Sequence, residues 1–483
     1  MQQVLRSYYS SFYLPAGLFL LSGIVSILLQ NPYVLVVPFG TLLFPLLYPV
    51  IVSRPDRLFW LLLIALPLST EWMVTPSLGL DFPDEVLLIL LTAIILIKLI
   101  HEPRWFPKAL RRNPLGLLLV MYFGWLLIST CYAVEPLLAT KYLLAKTWYV
   151  LPLVILPQVL VTNMKSFQQM ALCLLVPMLV VVIQVLIRYA FLGFAFEKVQ
   201  QTMFPFFRNH VNYSSMLVCL LPIGWCCWKL TPLNHPGRKW ILYGLLIGLI
   251  GLFFAYSRGA WIALLAGIST ILVIRFRRIR TVIFAGLAAI LLSTAWLVAD
   301  ENFMRFAPDH DHTIFHTDFR EHLLSTVEMT DVSTAERFYR WIAGIRMLAE
   351  KPITGFGPNS FYLHYRPYTV PRFQTWVSDN PEHSTVHNYF ILLALEQGLP
   401  GLLLFCLLYF VMLMQLQHLY HHFQSRFYRN VSLAIACVLV MMGVINSMSD
   451  MIETDKIGGL FWLCMGVVIL LGTKAKEERE AIC

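Results

Sequence analysis

Charge is scarce in this chain of 483 residues: Asp, Glu, Lys and Arg together make up 13%, too little to wet the surface of soluble domains of that total size. The nine cysteines build no framework either. Seven of them (Cys173, Cys219, Cys226, Cys227, Cys406, Cys437, Cys464) fall inside apolar runs and none lies between residues 300 and 386, so neither a disulfide scaffold nor a CxxC metal site is indicated. The chain also lacks a GxxxxGK phosphate loop, a GxGxxG dinucleotide turn, internal repeats and low-complexity tracts. These absences argue against nucleotide-binding folds, secreted disulfide modules and solenoids.

Apolar sequence is what the chain has, with 58% hydrophobic residues and a mean hydropathy of +0.69. Apolar windows recur along nearly the whole length, each able to cross roughly 30 Å of hydrocarbon as a helix. The pattern predicts an all-α polytopic membrane protein with about fourteen spans (twelve to fourteen), near residues 14–30, 33–52, 58–70, 86–100, 115–134, 143–161, 168–193, 212–230, 239–256, 259–275, 281–299, 388–417, 430–449 and 457–472. The opening MQQVLRSYYSSFYLPAGLFLLSG shows no small-residue cleavage site and is expected to be the first of these helices, not a removed signal.

The net charge of +9 raises nucleic acid as a partner, but its distribution points elsewhere. If both termini are cytoplasmic, the inner segments collect 21 of the 36 Lys and Arg residues, with Arg275, Arg277, Arg278 and Arg280 clustered. The outer loop STEWMVTPSLGLDFPDE is acidic and has no basic residue. That is the positive-inside pattern, so the basic charge reads as topology and contact with anionic membrane lipids, and nucleic acid is not expected.

This topology puts Arg208, Arg258 and the segment Asp300 to Val386 on the outer side. Four regions are expected: N-terminal transmembrane helices over 1–200, transmembrane helices with outward arginines over 201–299, a partly helical extracytoplasmic loop domain over 300–386, and C-terminal transmembrane helices over 387–483. In the loop domain STAE, Ser333 to Glu336, has capping-box spacing, and ERFYRWIAGIRMLAEKP reads as an amphipathic helix ended before Pro352. A turn follows at TGFGPNS.

Within AYSRGAWIALLAG, Arg258 is the one charge between two long apolar runs. Its plainer reading is a snorkelling anchor; the sharper one is that a charge near membrane depth, costing about 2.5–3.5 kcal/mol on insertion scales, faces a functional cavity. If Ser257 caps the next helix, the first amides of that helix join Arg258 in an anion site over Gly259 and Ala260. Arg208, with Asn209 and His210, precedes another outer span start and reads equally as an interfacial anchor. Arg337 and Arg340 stand three apart on one face of the loop helix, where a solvated surface is the plainer reading of Arg340. Several arginines converging at one surface suit a diphosphate, which a guanidinium can grip through two oxygens at once.

His387 and Asn388 open a span in HSTVHNYFILLALEQGLPGLLLF. Such residues often serve as caps, yet a helix N-terminus disfavours imidazolium and leaves a neutral general base. DHDHTIFH, Asp309 to His316, offers a competing metal-binding pattern without regular ligand spacing. Asp84 and Glu85 read as acids at a helix start, and Tyr362, Tyr365 and Tyr368 as either sugar-stacking or packing aromatics.

SRGAW at a tight outer turn, the ERFYRW helix followed by PITGFGPNSF, and HNYF leading into EQGLPGLLLF together resemble the O-antigen ligase family, which also includes O-antigen polymerases and some protein oligosaccharyltransferases. The resemblance covers roughly residues 203–405 and implies a GT-C-like fold in a bacterial cytoplasmic (inner) membrane, with the active site facing the periplasm. It implies an inverting glycan transfer from an undecaprenyl-diphosphate carrier to an acceptor hydroxyl, such as lipid A-core or another glycan, in lipopolysaccharide biosynthesis, without metal or cofactor. The family's functional arginines and histidine fall on Arg258, Arg337 and His387, and FRNHVNYSSML adds Arg208, Asn209 and His210 as weaker matches. In these roles His387 takes the acceptor proton and the arginines hold the diphosphate. A polymerase on the same carrier remains open, as does, from another class, a transporter of the lipid-linked glycan, for which broken helices and mid-membrane charges would be expected.

Overall fold

Residues 55–75, 78–307, 332–375, 378–380 and 384–482 are described by a computed structural model. The expected spans at 14–30 and 33–52, and the DHDHTIFH stretch, lie outside them. The chain divides into a unit of residues 1–61, of which only the opening turns of one helix are described, and a unit of residues 62–483.

Each of the other expected spans is met by a helix, because a long apolar stretch satisfies its backbone within itself only when helical. In chain order these are α1 (Pro55–Leu68), α2 (Asp84–His101), the short α3 (Lys108–Arg112), α4 (Pro114–Cys131), α5 (Pro136–Leu160), α6 (Met164–Phe191), the short α7 (Val199–Met203), α8 (His210–Leu230), α9 (Gly237–Phe253), α10 (Arg258–Arg275) and α11 (Ile279–Val298). The loop domain contributes α12 (Val332–Glu350) and the one-turn α13 (Phe361–His364), before α14 (Tyr389–His422), α15 (Arg426–Met448) and α16 (Asp455–Ile482).

Among the described residues nine helices, α4, α5, α6, α8, α10, α11, α14, α15 and α16, are long and apolar enough to cross a membrane. Three expected spans fall short of that: α1 has 14 residues and α9 has 17, and α2 carries Asp84, Glu85 and Lys98. Among the described residues, nine of the twelve spans expected there are therefore long and apolar enough to cross a membrane. The acidic loop before α2 is also more than a loop. It forms an antiparallel hairpin of β1 (Thr70–Thr75) and β2 (Leu78–Phe82), with Glu71 opposite Asp81 and Trp72 opposite Leu80.

Six long helices frame the centre. α10 lies along α15, α8 and α14 also pack on α15, and α16 runs along α5. Phe461 and Trp462 of α16 are fully buried, and Phe461 stacks on Tyr409 of α14 with ring centroids 5.7 Å apart.

α14 is broken inside its length. Gly398 adopts φ +70°, the left-handed region that favours glycine, and Pro400 follows. The segment after α12 fills the break: the amides of Phe356 and Gly357 donate to the carbonyls of Leu395 and Glu396, each at 2.9 Å, and the Leu399 amide donates to Pro352 O at 2.8 Å. The Glu396 carboxyl accepts the amides of Ser360 (3.1 Å) and Phe361 (3.3 Å), while Trp125 of α4 donates to Gln397 O at 2.7 Å. Backbone groups freed by the break are thus satisfied by protein. A Cβ at Gly398 would stand 1.9 Å from Ile353 O, so Gly398→Ala is expected to lower the thermal midpoint of the purified protein sharply. The backbone conformation alone costs about 1–3 kcal/mol in a non-glycine residue, and an unchanged midpoint would show that the latch is not needed.

Candidate active site

The loop domain is held by its own apolar core of Tyr339, Ala343 and Met347 from α12 with Phe356, Phe361, Tyr365, Phe373 and Val386, against Leu392 and Leu395 of α14. Tyr365 is fully buried and stacks on Phe361 at 4.8 Å, so it packs the core and offers no face to a sugar. Tyr362 and Tyr368 pack against the same core. With the latch at Gly398, this core fixes α12 over the first turns of α14.

The chain then enters α14 through a short loop stitched to the end of α15. The Thr385 hydroxyl donates to Asp450 Oδ2 at 2.6 Å and accepts the His387 amide at 3.4 Å. Asn388 is the N-cap: its Oδ1 accepts the amides of Phe390 (3.0 Å) and Ile391 (3.1 Å), and its Nδ2 donates to Ser447 O at 2.9 Å. The Tyr389 amide donates to Ser449 O at 3.0 Å. Pinned on both sides, His387 sits at φ +55°, a conformation that non-glycine residues hold only when their surroundings impose it.

Two arginines of α12 face this histidine. Burial first, then the charges of Arg340 and Arg337, push its pKa from 6.5 down to about 3. Arg340 is buried rather than on the solvated face expected for it: its Nη1 donates to Thr385 O at 3.2 Å and its Nη2 pairs with Glu336 at 3.2 Å. Glu336 also accepts from Thr375 Oγ1 at 2.5 Å and from the Ser378 hydroxyl. A buried carboxylate with that many donors is well compensated. Glu336 turns to Arg340 instead of back to the helix start, so it does not act as the capping-box partner expected of it.

His387 is therefore neutral at physiological pH. Its folded pKa lies below the unfolded value, so the folded protein binds fewer protons between about pH 6.5 and 3, and this group weakens the fold as the pH drops through that window. Histidine C2 hydrogen–deuterium exchange followed by mass spectrometry should give His387 a midpoint far below 6.5 that moves upward in Arg337→Gln. A midpoint near 6.5 in the wild type would contradict the arrangement.

Arg258 begins α10 after a turn closed by Trp261, whose Nε1 donates to Leu252 O at 3.3 Å and whose ring stacks on Phe253 at 6.0 Å. Tyr256 takes φ +50° to reverse the chain, and Ser257 occupies the N-cap position without a side-chain capping bond, so only half of the cap read from the sequence is made. A Cβ on Gly259 would meet nothing nearer than the Met448 sulfur, at 3.8 Å. Met448 ends α15, between Ser447 and Ser449, which hold Asn388 and Tyr389. The first turn of α10 and the His387 loop thus meet the same end of α15, which places Arg258 and His387 at one end of the bundle.

Arg208 belongs to a different group. Its guanidinium pairs with Glu71 of β1, in a cluster with Asp81 and Lys456. Asn209 caps α8 by accepting the Asn212 amide at 2.8 Å, and the His210 amide donates to Gln200 Oε1 at 3.2 Å. Asp84 and Glu85 open α2 as acids in a first turn. Among the described residues no group of three His, Cys, Asp or Glu side chains is disposed to hold a metal ion.

Sequence reasoning missed Asp450, Thr375 and Ser378, which carry no motif and reach the site only through tertiary contact. It also missed the pairing of Glu336 with Arg340, although the i,i+4 spacing signals it.

No curated protein matches the chain. Residues 243–406 match the family model described as O-Antigen ligase. The match includes Arg258, Arg337, Arg340, His387 and the latched break in α14, and leaves out Arg208 to His210 and the rest of the earlier helices. The resemblance carried by the three motifs is met: this helical chain, with nine membrane-length helices among its described residues, is similar to the O-antigen ligase family over residues 243–406.

Proposed function

We propose that the protein is a membrane glycosyltransferase of the O-antigen ligase type, working at the outer face of a bacterial inner membrane. The donor is a glycan on undecaprenyl diphosphate and the acceptor a hydroxyl of lipid A-core or another glycan. The observation that carries this reading is a neutral, buried imidazole placed under two arginines at the bundle end where α10 presents a third.

In this reaction the acceptor oxygen attacks the anomeric carbon opposite the diphosphate. The new C–O bond forms as the old one breaks, the hydroxyl proton passes to Nε2 or Nδ1 of His387, and the electron pair leaves on the diphosphate oxygen, inverting the anomeric centre. Arg258 and Arg337 stabilise the charge growing there. Arg340, held by Glu336 and Thr385, contributes field and position. The same field explains how the base is switched on: the bound diphosphate neutralises the arginine charges that depress His387, which raises its proton affinity when the donor is in place. The broken α14 does not favour a transporter, because protein fills the break where transporters line a cavity.

Purified protein supplied with a defined polyprenyl-diphosphate glycan and acceptor should give glycosylated acceptor of inverted configuration by mass spectrometry. Movement of the donor across vesicles with no such product would make the protein a transporter. In cells, loss of the gene should leave long polymer on the carrier; single repeat units there would mark a polymerase instead.

A further inference from the structure

At the opposite end of α14 from His387, the ends of α3, α4, α14 and α16 enclose a cleft of about 650 Å³. Lys108 and Arg112 reach it from α3, His418 and His422 from α14, and Lys476 and Arg479 from α16. No Asp or Glu lines it. The nearest acids of α16 are turned to other work: Glu477 pairs with Lys474 at 2.8 Å, and Glu478 accepts the amides of Gln424 (3.1 Å) and Ser425 (2.8 Å). Lys108, Arg112, Lys476 and Arg479 make no ion pair among the described residues.

The polar lining is built into the fold. Asn113 and Gln415 clasp each other through both amide groups, at 3.3 and 2.9 Å, and Asn113 Oδ1 caps α4 at the Leu115 amide, 3.0 Å away. The His418 and His422 rings stack with centroids 5.4 Å apart. Beside these polar groups the wall is apolar, with Val411, Met414 and Ile469.

Four fixed positive charges sharing a cleft repel one another unless an anion joins them. An anion with hydrocarbon attached fits both halves of the lining, and basic pockets between transmembrane helices recognise phosphate headgroups in this way. We infer that this cleft binds the phosphate headgroup of an anionic membrane lipid, with its chains along the apolar wall. The site is separate from the His387 end and does not depend on the reaction assigned there.

Native mass spectrometry on the purified full chain tests this with cardiolipin, phosphatidylcholine and inorganic phosphate as probes. The wild type should retain cardiolipin in preference to phosphatidylcholine, and the variant K108Q/R112Q/K476Q/R479Q should bind it at least about tenfold more weakly, given the attraction that each Lys or Arg contributes near anionic lipid. A variant neutralising Lys165, Lys239, Arg277 and Arg280, exposed elsewhere, should bind as the wild type does. Thermal midpoints of both variants show whether they remain folded; if the first does not, the pair K476Q/R479Q is used and should still weaken binding severalfold. Equal weakening in both charge variants would overturn the site in favour of general surface charge. Phosphate that displaces cardiolipin at equal concentration would overturn the lipid as occupant and leave a soluble anion in its place.

Discussion

On the proposed function, His387→Ala is expected to cut glycan transfer severely while leaving the protein folded and in the membrane. The loss expected from removing a general base is about 10²- to 10⁴-fold. The fold is insulated from the substitution because the loop is held by the His387 amide, by Thr385 and by Asn388, none of which needs the imidazole. Alanine at φ +55° is strained much as histidine is, so the thermal midpoint should move little. His387→Gln, which keeps polar bulk, should be equally inactive. The measurement is turnover with purified donor and acceptor alongside thermal midpoints, and normal product from either variant would remove His387 from the base role.

The second large effect is at Arg258. Arg258→Lys keeps the charge at the start of α10 but replaces a planar fork with a point charge, so it would lose the paired contact with two diphosphate oxygens proposed for it. Turnover should fall about 10²-fold, the scale of one lost donor to developing negative charge. Because Gly259 has only Met448 nearby and Trp261 closes the turn independently, the helix start should survive the change. Arg340→Lys is a contrasting case: it breaks a buried pair with Glu336, so the protein should lose stability as well as activity, whereas at Arg258 activity alone should fall. Unchanged turnover in Arg258→Lys would mean that the diphosphate is held elsewhere.

Much of the helical framework was legible because apolar runs announce themselves without knowledge of their neighbours. The same contrast made Arg258 legible, as a charge amid hydrocarbon, and made the loop helix legible up to its end at Glu350 before Pro352. What stayed hidden depends on partners far along the chain. Arg340 reads as a surface residue until Thr385, 45 positions later, is found to accept from it, and Glu336 reads as half of a cap until Ser378 and Thr375 turn up beside it. The β1–β2 hairpin was missed because two strands of 6 and 5 residues give too short an alternation to stand out from a loop. Arg208 is a further case: its place before a span start says nothing of Glu71 on the hairpin, 137 positions away, with which it pairs.

The plugged break in α14 has a consequence for how such proteins can be recombined. Residues 352–361 and 395–399 exchange backbone hydrogen bonds across some forty positions, so each is the other's template. A hybrid that grafts a foreign outer domain between α11 and α14 while cutting at His387 would leave one template facing a stranger, with amides and carbonyls stranded among packed helices. Grafts whose downstream junction lies beyond Pro400 carry both halves together, and these are the ones that should fold.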